Sequence, residues 1–264
     1  MRDNLRIGNL SWRFILVWNR NVVVYKKIWF VNFLVPLLEP LMYLAAFGVG
    51  LSSFIRQVDY QGAPIAYVAF IAPALLAITI MYNAFFENTY ASFVRMYYQK
   101  TFDAMMATPL SLEDIIAGEI VWGATKSVIA GAIVLAVIAC FGLVSFPLGL
   151  LILPLSFLGG LAFGTVGMIF TGITPTIDMY NLPIFLFITP MFLFSGTFFP
   201  TTALPGWAQK LALALPLTHL VNLCRALCLG KAALDLTWSV LYIAAVFVLT
   251  FPVALIVMRR RLIS

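Results

Sequence analysis

Long apolar stretches dominate this chain and restrict what it can fold into. Six stretches are long enough to cross a bilayer, which takes about 20 apolar residues in a helix. They cover residues 28–51, 65–86, 120–144, 147–170, 182–199 and 238–258. Only 10% of the residues are charged, whereas a soluble domain carries about 25%. The sequence therefore predicts an all-α integral membrane protein with six transmembrane helices, forming a single transmembrane domain over residues 1–264.

The 16 lysines and arginines are spread unevenly between the predicted connections. With the N-terminus inside, most of them fall in the N-terminal segment, in the loop after the second span and in Arg259–Arg261. Loops rich in lysine and arginine face the cytoplasm. We therefore expect a multi-pass protein of the bacterial inner (cytoplasmic) membrane with both termini cytoplasmic. The net charge of +6 is an orientation signal, and no nucleic-acid partner is expected.

Residue patterns that support catalysis or metal binding are missing. Gly230 and Lys231 lack the upstream glycine and the following serine or threonine of a phosphate-binding loop. The three cysteines show no zinc spacing, and His219 has no nucleophile or metal ligand near it in sequence. The N-terminus lacks the pattern of a cleaved signal peptide. The sequence thus predicts no catalytic residue, no metal site and no cofactor on this chain, which is not expected to be an enzyme.

Three segments outside the apolar stretches carry patterns of their own. In residues 1–27, basic residues recur every seventh position from Arg6 to Lys27 while apolar residues occupy the opposite face. This is typical of a helix lying in the membrane plane on lipid headgroups, although a solvated leader remains an alternative. In residues 200–237, Pro205 and Pro216 separate two apolar pieces that are each too short to cross, which predicts re-entrant half-helices at the outer face.

The third segment, residues 87–119, is the longest predicted cytoplasmic connection. Its first half predicts a short amphipathic helix that offers an apolar face to a soluble partner, and Ser111 with Asp114 predicts a capping box that opens the next helix. A plain linker between spans fits the composition equally well. The candidate partner contacts are Arg95, Lys100, Phe102, Asp103, Met105, Met106 and Thr108.

Glu39 is a carboxylate within a predicted span. A charge at mid-membrane costs about 2.5–3.5 kcal/mol on insertion scales, so Glu39 must face protein, water or a cation, and Lys126 is a candidate partner. Structural, substrate-path and proton-relay roles all remain open. Together with Glu39, the aromatic side chains of Tyr43, Phe194 and Phe198 are candidates for a substrate path, with simple packing or lipid contact as the alternative.

Five stretches of the chain resemble the permease subunits of type-two ABC exporters, and within them the nodulation-factor exporter permeases, which move lipo-chito-oligosaccharides. They are LEPLMYLAAFGVGL, AYVAFIAPALLA, QKTFDAMMATPLSLEDIIAGEI, ITPMFLFSGTFFP and LPLTHLVNLCRALCLG. The resemblance implies a homodimer of this chain bound to two copies of a separate ABC ATPase, which would hold ATP and Mg. It also implies a coupling helix within Lys100–Pro109, outer half-helices over residues 200–230, and a match of Glu39 to the carboxylate of the first-span motif.

The resulting interpretation is a permease subunit of an ATP-driven exporter that moves an amphipathic lipid-linked or oligosaccharide cargo outwards. Several alternatives stay open. Related permeases of the same class export drugs or lipids, and Glu39 permits a proton-coupled secondary transporter. A membrane-embedded transferase acting on lipid-linked sugars and a passive assembly subunit are further possibilities.

Overall fold

The computed structural model describes residues 10–50, 55, 57–60, 62–231 and 235–263. Residues 1–9 and 232–234, which belong to the predicted interfacial and re-entrant segments, lie outside the described residues. The first half of the chain forms α1 (Phe14–Lys27), α2 (Trp29–Ala45) with a π-helical turn Ala46–Gly50, β1 (Gln57–Tyr60), β2 (Ala63–Ala66), α3 (Tyr67–Phe86), α4 (Thr101–Met106) and α5 (Leu112–Cys140). After Phe86, the helical path of α3 continues through the π-helical turns Glu87–Ala91 and Val94–Tyr98.

The second half is helical throughout. It forms a 3-10 turn Leu148–Leu151, α6 (Ile152–Ile173), a 3-10 turn Ile177–Tyr180, α7 (Asn181–Pro183), a π-helical turn Ile184–Ile188, α8 (Thr189–Phe194), a 3-10 turn Thr201–Ala203, α9 (Gly206–Ala214), α10 (Pro216–Cys228) and α11 (Asp235–Leu262).

Five helical stretches in the described part of the chain are long and apolar enough to cross a membrane, and up to seven if each of two bent pairs counts as one span. The five cover residues 67–98, 112–140, 148–173, 177–194 and 236–262. In the bent pairs, α1 meets α2 at 94° and α9 meets α10 at 86°. The prediction of a helical membrane protein is confirmed. The helical path of α3 and helix α5 are longer than predicted, so that the segment between them, which includes α4, is residues 99–111.

The structure adds one element that the sequence analysis did not predict, an antiparallel hairpin of β1 and β2. Val58 pairs with Ile65, and Gly62 turns the chain with a φ of +76°. Glycine suits this left-handed conformation because it has no Cβ to clash with the backbone. The hairpin leads directly into α3, so it lies at the end of that helix opposite α4.

Small residues allow the central helices to approach closely. A Cβ built on Gly160 of α6 would lie 2.6 Å from the Cα of Ala124 in α5, and one on Gly167 would lie 2.9 Å from the backbone oxygen of Phe85 in the α3 path. Without a hydrophobic force between helices in lipid, such close contacts supply much of the packing energy. The apolar core accordingly centres on α3, α5, α6 and α10.

We expect Gly160→Ala to destabilise the purified protein by about 1–3 kcal/mol, the usual cost of overpacking, because its methyl group meets backbone in α5. Gly206→Ala is the matched control, since nothing lies within 4 Å of a Cβ at Gly206. Thermal unfolding in detergent, followed by size-exclusion chromatography, measures both. Equal melting temperatures for the two variants would contradict the close α5–α6 contact.

Candidate functional site

The short helix α4 closes the turn between the α3 path and α5. Lys100 precedes it in a left-handed conformation with a φ of +52°, which reverses the chain. The capping box predicted at Ser111 and Asp114 is present and begins α5. Between these two signals α4 has room for only six residues. The local sequence therefore fixes a compact helical tip between two long helices.

The two faces of α4 have different surroundings. Phe102 is fully buried and Met105 is 8% exposed, both in an apolar cluster with residues of α1, α5 and α11. On the opposite face Lys100 and Asp103 are 66% and 53% exposed, with 3.8 Å between the ammonium and carboxylate groups. Thr108 is also exposed, and its hydroxyl donates to the Met105 carbonyl at 2.6 Å. Met106 is half-buried. A soluble partner would therefore meet the Lys100–Asp103 face.

Arg95 is not on this exposed face. Its guanidinium donates to Glu87 Oε1 at 2.8 Å and to Glu119 Oε2 at 2.9 Å, and its side chain is 13% exposed. Glu87 also accepts from Lys126 Nζ at 2.8 Å. These four residues, Glu87, Arg95, Glu119 and Lys126, are called the ionic cluster below. They join the end of the α3 path that lies next to α4 to helix α5.

Neutral donors complete the hydrogen bonding of the ionic cluster. Glu87 accepts from Trp122 Nε1 at 3.0 Å, while the buried Glu119 accepts from Ser92 Oγ at 2.8 Å and from Asn21 Nδ2 at 2.9 Å. Buried charges are tolerated when they are paired and fully hydrogen-bonded. The ionic cluster meets that condition, so we interpret it as a structural connection between the α3 path and α5.

Helix α1 is hydrogen-bonded to the same region of the structure. Besides Asn21, Trp18 Nε1 donates to Thr125 Oγ1 at 2.9 Å, and the Ser11 backbone N–H donates to Asp114 Oδ1 at 2.7 Å. Arg13 donates to the carbonyl of Pro109 at 2.7 Å, just beyond α4. Helices α1, α4 and α5 therefore form one packed unit at this end of the molecule.

The sequence analysis missed the ionic cluster, and Lys126 is not the partner of Glu39 for which it was a candidate. Lys126 bonds Glu87, not Glu39. One signal was available, because Glu87 and Arg95 are about two helical turns apart and flank an otherwise uncharged helix end. The sequence offered no comparable signal for Glu119, because this residue belongs to a different helix and lies close to Arg95 only in the folded structure.

The four predicted substrate-path residues divide into two groups. Tyr43 stacks on Phe47 with 6.0 Å between ring centroids, and Phe47 lies 5.6 Å from Phe198. Glu39 is one helical turn before Tyr43, and its side chain is exposed on α2. Phe194 lies apart from them and packs on Trp207 at 6.1 Å. The structure thus brings Tyr43 and Phe198 into one aromatic cluster.

The fold and the buried charges define a helical membrane protein of the transporter type. Within the described residues, no group of three or more His, Cys, Asp or Glu side chains is placed to hold a metal ion. The family profile of the ABC-2 type transporters matches residues 13–229. The chain therefore belongs to this family, and its role is that of a transport permease.

Several relatives match along nearly the whole chain. Nodulation protein J of Rhizobium leguminosarum bv. trifolii is 38% identical over 256 residues, covering 97% of this chain and 95% of the relative. Nodulation protein J of Sinorhizobium fredii is 36% identical over 253 residues, with 96% and 95% covered. The inner membrane transport permease YadH of Escherichia coli is 24% identical over 206 residues, with 78% of each chain covered. These matches confirm the resemblance to the nodulation exporter permeases.

We expect Arg95→Met to destabilise the chain by about 3–5 kcal/mol, because it leaves two buried carboxylates without their shared cation. The exposed Lys100→Met should cost less than about 1 kcal/mol, as is usual for a surface ion pair. Thermal unfolding of the purified chain alone compares the two. A loss for Lys100→Met as large as that for Arg95→Met would contradict the role given to the ionic cluster.

Proposed function

We propose that this chain is the membrane subunit of an ATP-driven exporter whose ATP-hydrolysing subunit is a separate polypeptide. Two copies of the chain would form a homodimer with two copies of that ATPase, which would hold ATP and Mg. The observation that carries the proposal is the exposed Lys100–Asp103 face of α4, whose opposite face is buried against α1, α5 and α11, in a chain that belongs to the ABC-2 type transporters. The remaining contacts expected in this proposal are Met106 and Thr108.

The packing around α4 supports a path for the mechanical signal. A push on the exposed face of α4 reaches Phe102 and Met105, which are buried against α1, α5 and α11. The hydrogen bonds of Asn21 and Arg95 to Glu119 then oblige α1, α5 and the α3 path to move together. ATP binding on the partner would shift the permease between two states that differ in cargo affinity. In this scheme Arg95, Phe102 and Met105 transmit the push and do not touch the ATPase.

Membrane placement follows from the same proposal. We place the chain in the bacterial inner membrane as a single transmembrane domain, with α4 and both termini on the cytoplasmic side. Six spans result when α2 supplies one crossing in addition to the five long helical stretches, with α1 in the interface and the pair of α9 and α10 re-entrant. The basic residues of the N-terminal segment and Arg259–Arg261 support this orientation.

The proposed cargo is an amphipathic, lipo-oligosaccharide-like molecule, as the similarity to nodulation protein J supports. Glu39 has no hydrogen-bond or ion-pair partner within the described residues, and its side chain is exposed on α2. Because a bare carboxylate in lipid is costly, we place this face of α2 along the cargo path. Tyr43 and Phe198 would offer aromatic surface there.

The ATPase proposal is tested by purifying the ATPase encoded beside this chain through a tag on the permease. Asp103→Lys combined with Lys100→Glu should lower the recovered ATPase at least about tenfold without changing the melting temperature, because both side chains are exposed. Asp178→Lys, also exposed in the connection between α6 and α7, is the matched control. If the wild-type chain folds but recovers no ATPase, the exporter proposal fails.

The cargo-path proposal is tested with Glu39→Gln in the complete complex reconstituted in lipid vesicles. We expect normal assembly and ATPase recovery but a several-fold drop in cargo-stimulated ATP hydrolysis, since only the charge is removed. Lys210→Gln, exposed on α9 and outside the proposed path, is the comparison for a removed charge. Unchanged transport by Glu39→Gln would remove Glu39 from the path. Transport that follows a proton gradient without any ATPase would favour a secondary transporter.

A further inference from the structure

A cavity of about 360 Å³ lies at the end of α3 opposite α4. The hairpin, the start of α3, the segment after Pro200, α10 and the start of α11 all contribute to its wall. This volume falls at the lower end of the range for small-molecule sites, about 300–1,000 Å³. Five separate parts of the chain therefore converge on a space large enough for a ligand.

Arg225 of α10 forms the buried base of this cavity. It is 2% exposed, and its Cζ lies 3.7 Å from the centroid of the Phe70 ring. Its Nε donates to the Phe70 carbonyl at 3.1 Å, and Nη2 donates to the Gly196 carbonyl at 2.9 Å. Within the described residues no carboxylate forms an ion pair with it. The guanidinium is thus held in place by carbonyls and an aromatic face, and its charge is not cancelled there by an acid.

Other polar groups of the wall are unused. The side chains of Asn222, Asp59 and Lys231 line the cavity, and among the described residues none of them makes a side-chain hydrogen bond. Ser239, which is 8% exposed, is positioned by His219, whose Nδ1 lies 3.1 Å from its Oγ. Burial raises the pKa of Tyr60, whose ring centroid lies 5.4 Å from the Arg225 Cζ. The cavity wall therefore carries both hydrogen-bond donors and acceptors beside the aromatic rings of Tyr60 and Phe70.

We propose that this cavity binds a sugar ring, the oligosaccharide end of the exported cargo. Adjacent sugar hydroxyls both donate and accept, so they can pair with the amide of Asn222, the carboxylate of Asp59 and the guanidinium of Arg225 together. The carboxylate of Asp59 would repel a free anion, and the charges of Arg225 and Lys231 would repel a cation. An acyl chain would leave these polar groups without hydrogen-bond partners. The inference rests on the proposed function, since it makes the cavity the last contact of the cargo on the outer side.

The test uses the purified full chain in lipid nanodiscs and a disaccharide of β-1,4-linked N-acetylglucosamine as the probe. Binding is measured by saturation-transfer NMR and calorimetry. Asn222→Leu and Asp59→Asn should each weaken binding about tenfold, the usual effect of one or two lost hydrogen bonds to a ligand. Both residues lack side-chain partners in the described chain, so folding should be unaffected. Lys210→Ala, exposed on α9 and outside the cavity, is the control and should bind like the wild type.

Three results would overturn the inference: no disaccharide binding by the wild type, equal binding by all variants, or competition by inorganic phosphate at constant ionic strength. The last result would identify an anion site. ATPase recovery and cargo-stimulated hydrolysis are measured on the same preparations. If these persist while disaccharide binding is absent, only the sugar site fails. If disaccharide binding is present but no ATPase is recovered, the exporter proposal fails instead.

Discussion

Charges that leave water must find partners within the protein, and the ionic cluster shows how this chain meets that demand. Glu87 and Glu119 come from different helices, and Arg95 binds both of them. Removing Arg95 leaves the buried carboxylate of Glu119 without an ion-pair partner among the described residues, which is costly in a low-dielectric interior. The relative positions of α3, α5 and α1 are therefore set by a few short contacts. Helix α4 packs through Phe102 and Met105 on residues of α1 and α5, so the orientation of its exposed face depends on how these helices are held together.

The opposite end of the molecule meets the same demand differently. Arg225 is as deeply buried as the cluster carboxylates, but its partners are two carbonyls and the face of Phe70. Around it, Asn222 and Asp59 keep hydrogen-bonding capacity that the described residues do not use. A fully paired joint suits the transmission of force, because any relative movement of its members breaks strong bonds. A partly paired cavity suits ligand binding, because its polar groups gain from an added partner.

Local patterns predicted much of the fold. The apolar stretches predicted a helical membrane protein, and the Ser111–Asp114 capping box was correct because it depends on four consecutive residues. The amphipathic pattern of residues 95–106 was less informative about contacts. It shows that Phe102 and Met105 share an apolar face, but it cannot tell whether that face meets a partner or the chain's own core. The structure buries both. The hairpin of β1 and β2 was missed because four-residue strands are too short for a clear alternation.

Glu39 differs in burial and pairing from Glu87 and Glu119, the two carboxylates of the ionic cluster. Glu87 and Glu119 are buried and paired, whereas Glu39 is exposed on α2 and unpaired within the described residues. If α2 faced lipid along this side, the chain would bear the cost of a bare charge that its own Lys126 does not relieve, since Lys126 is bound to Glu87. A water-lined path or a second copy of the chain removes that cost. The homodimer proposed above would meet both conditions at once by enclosing a path between its subunits.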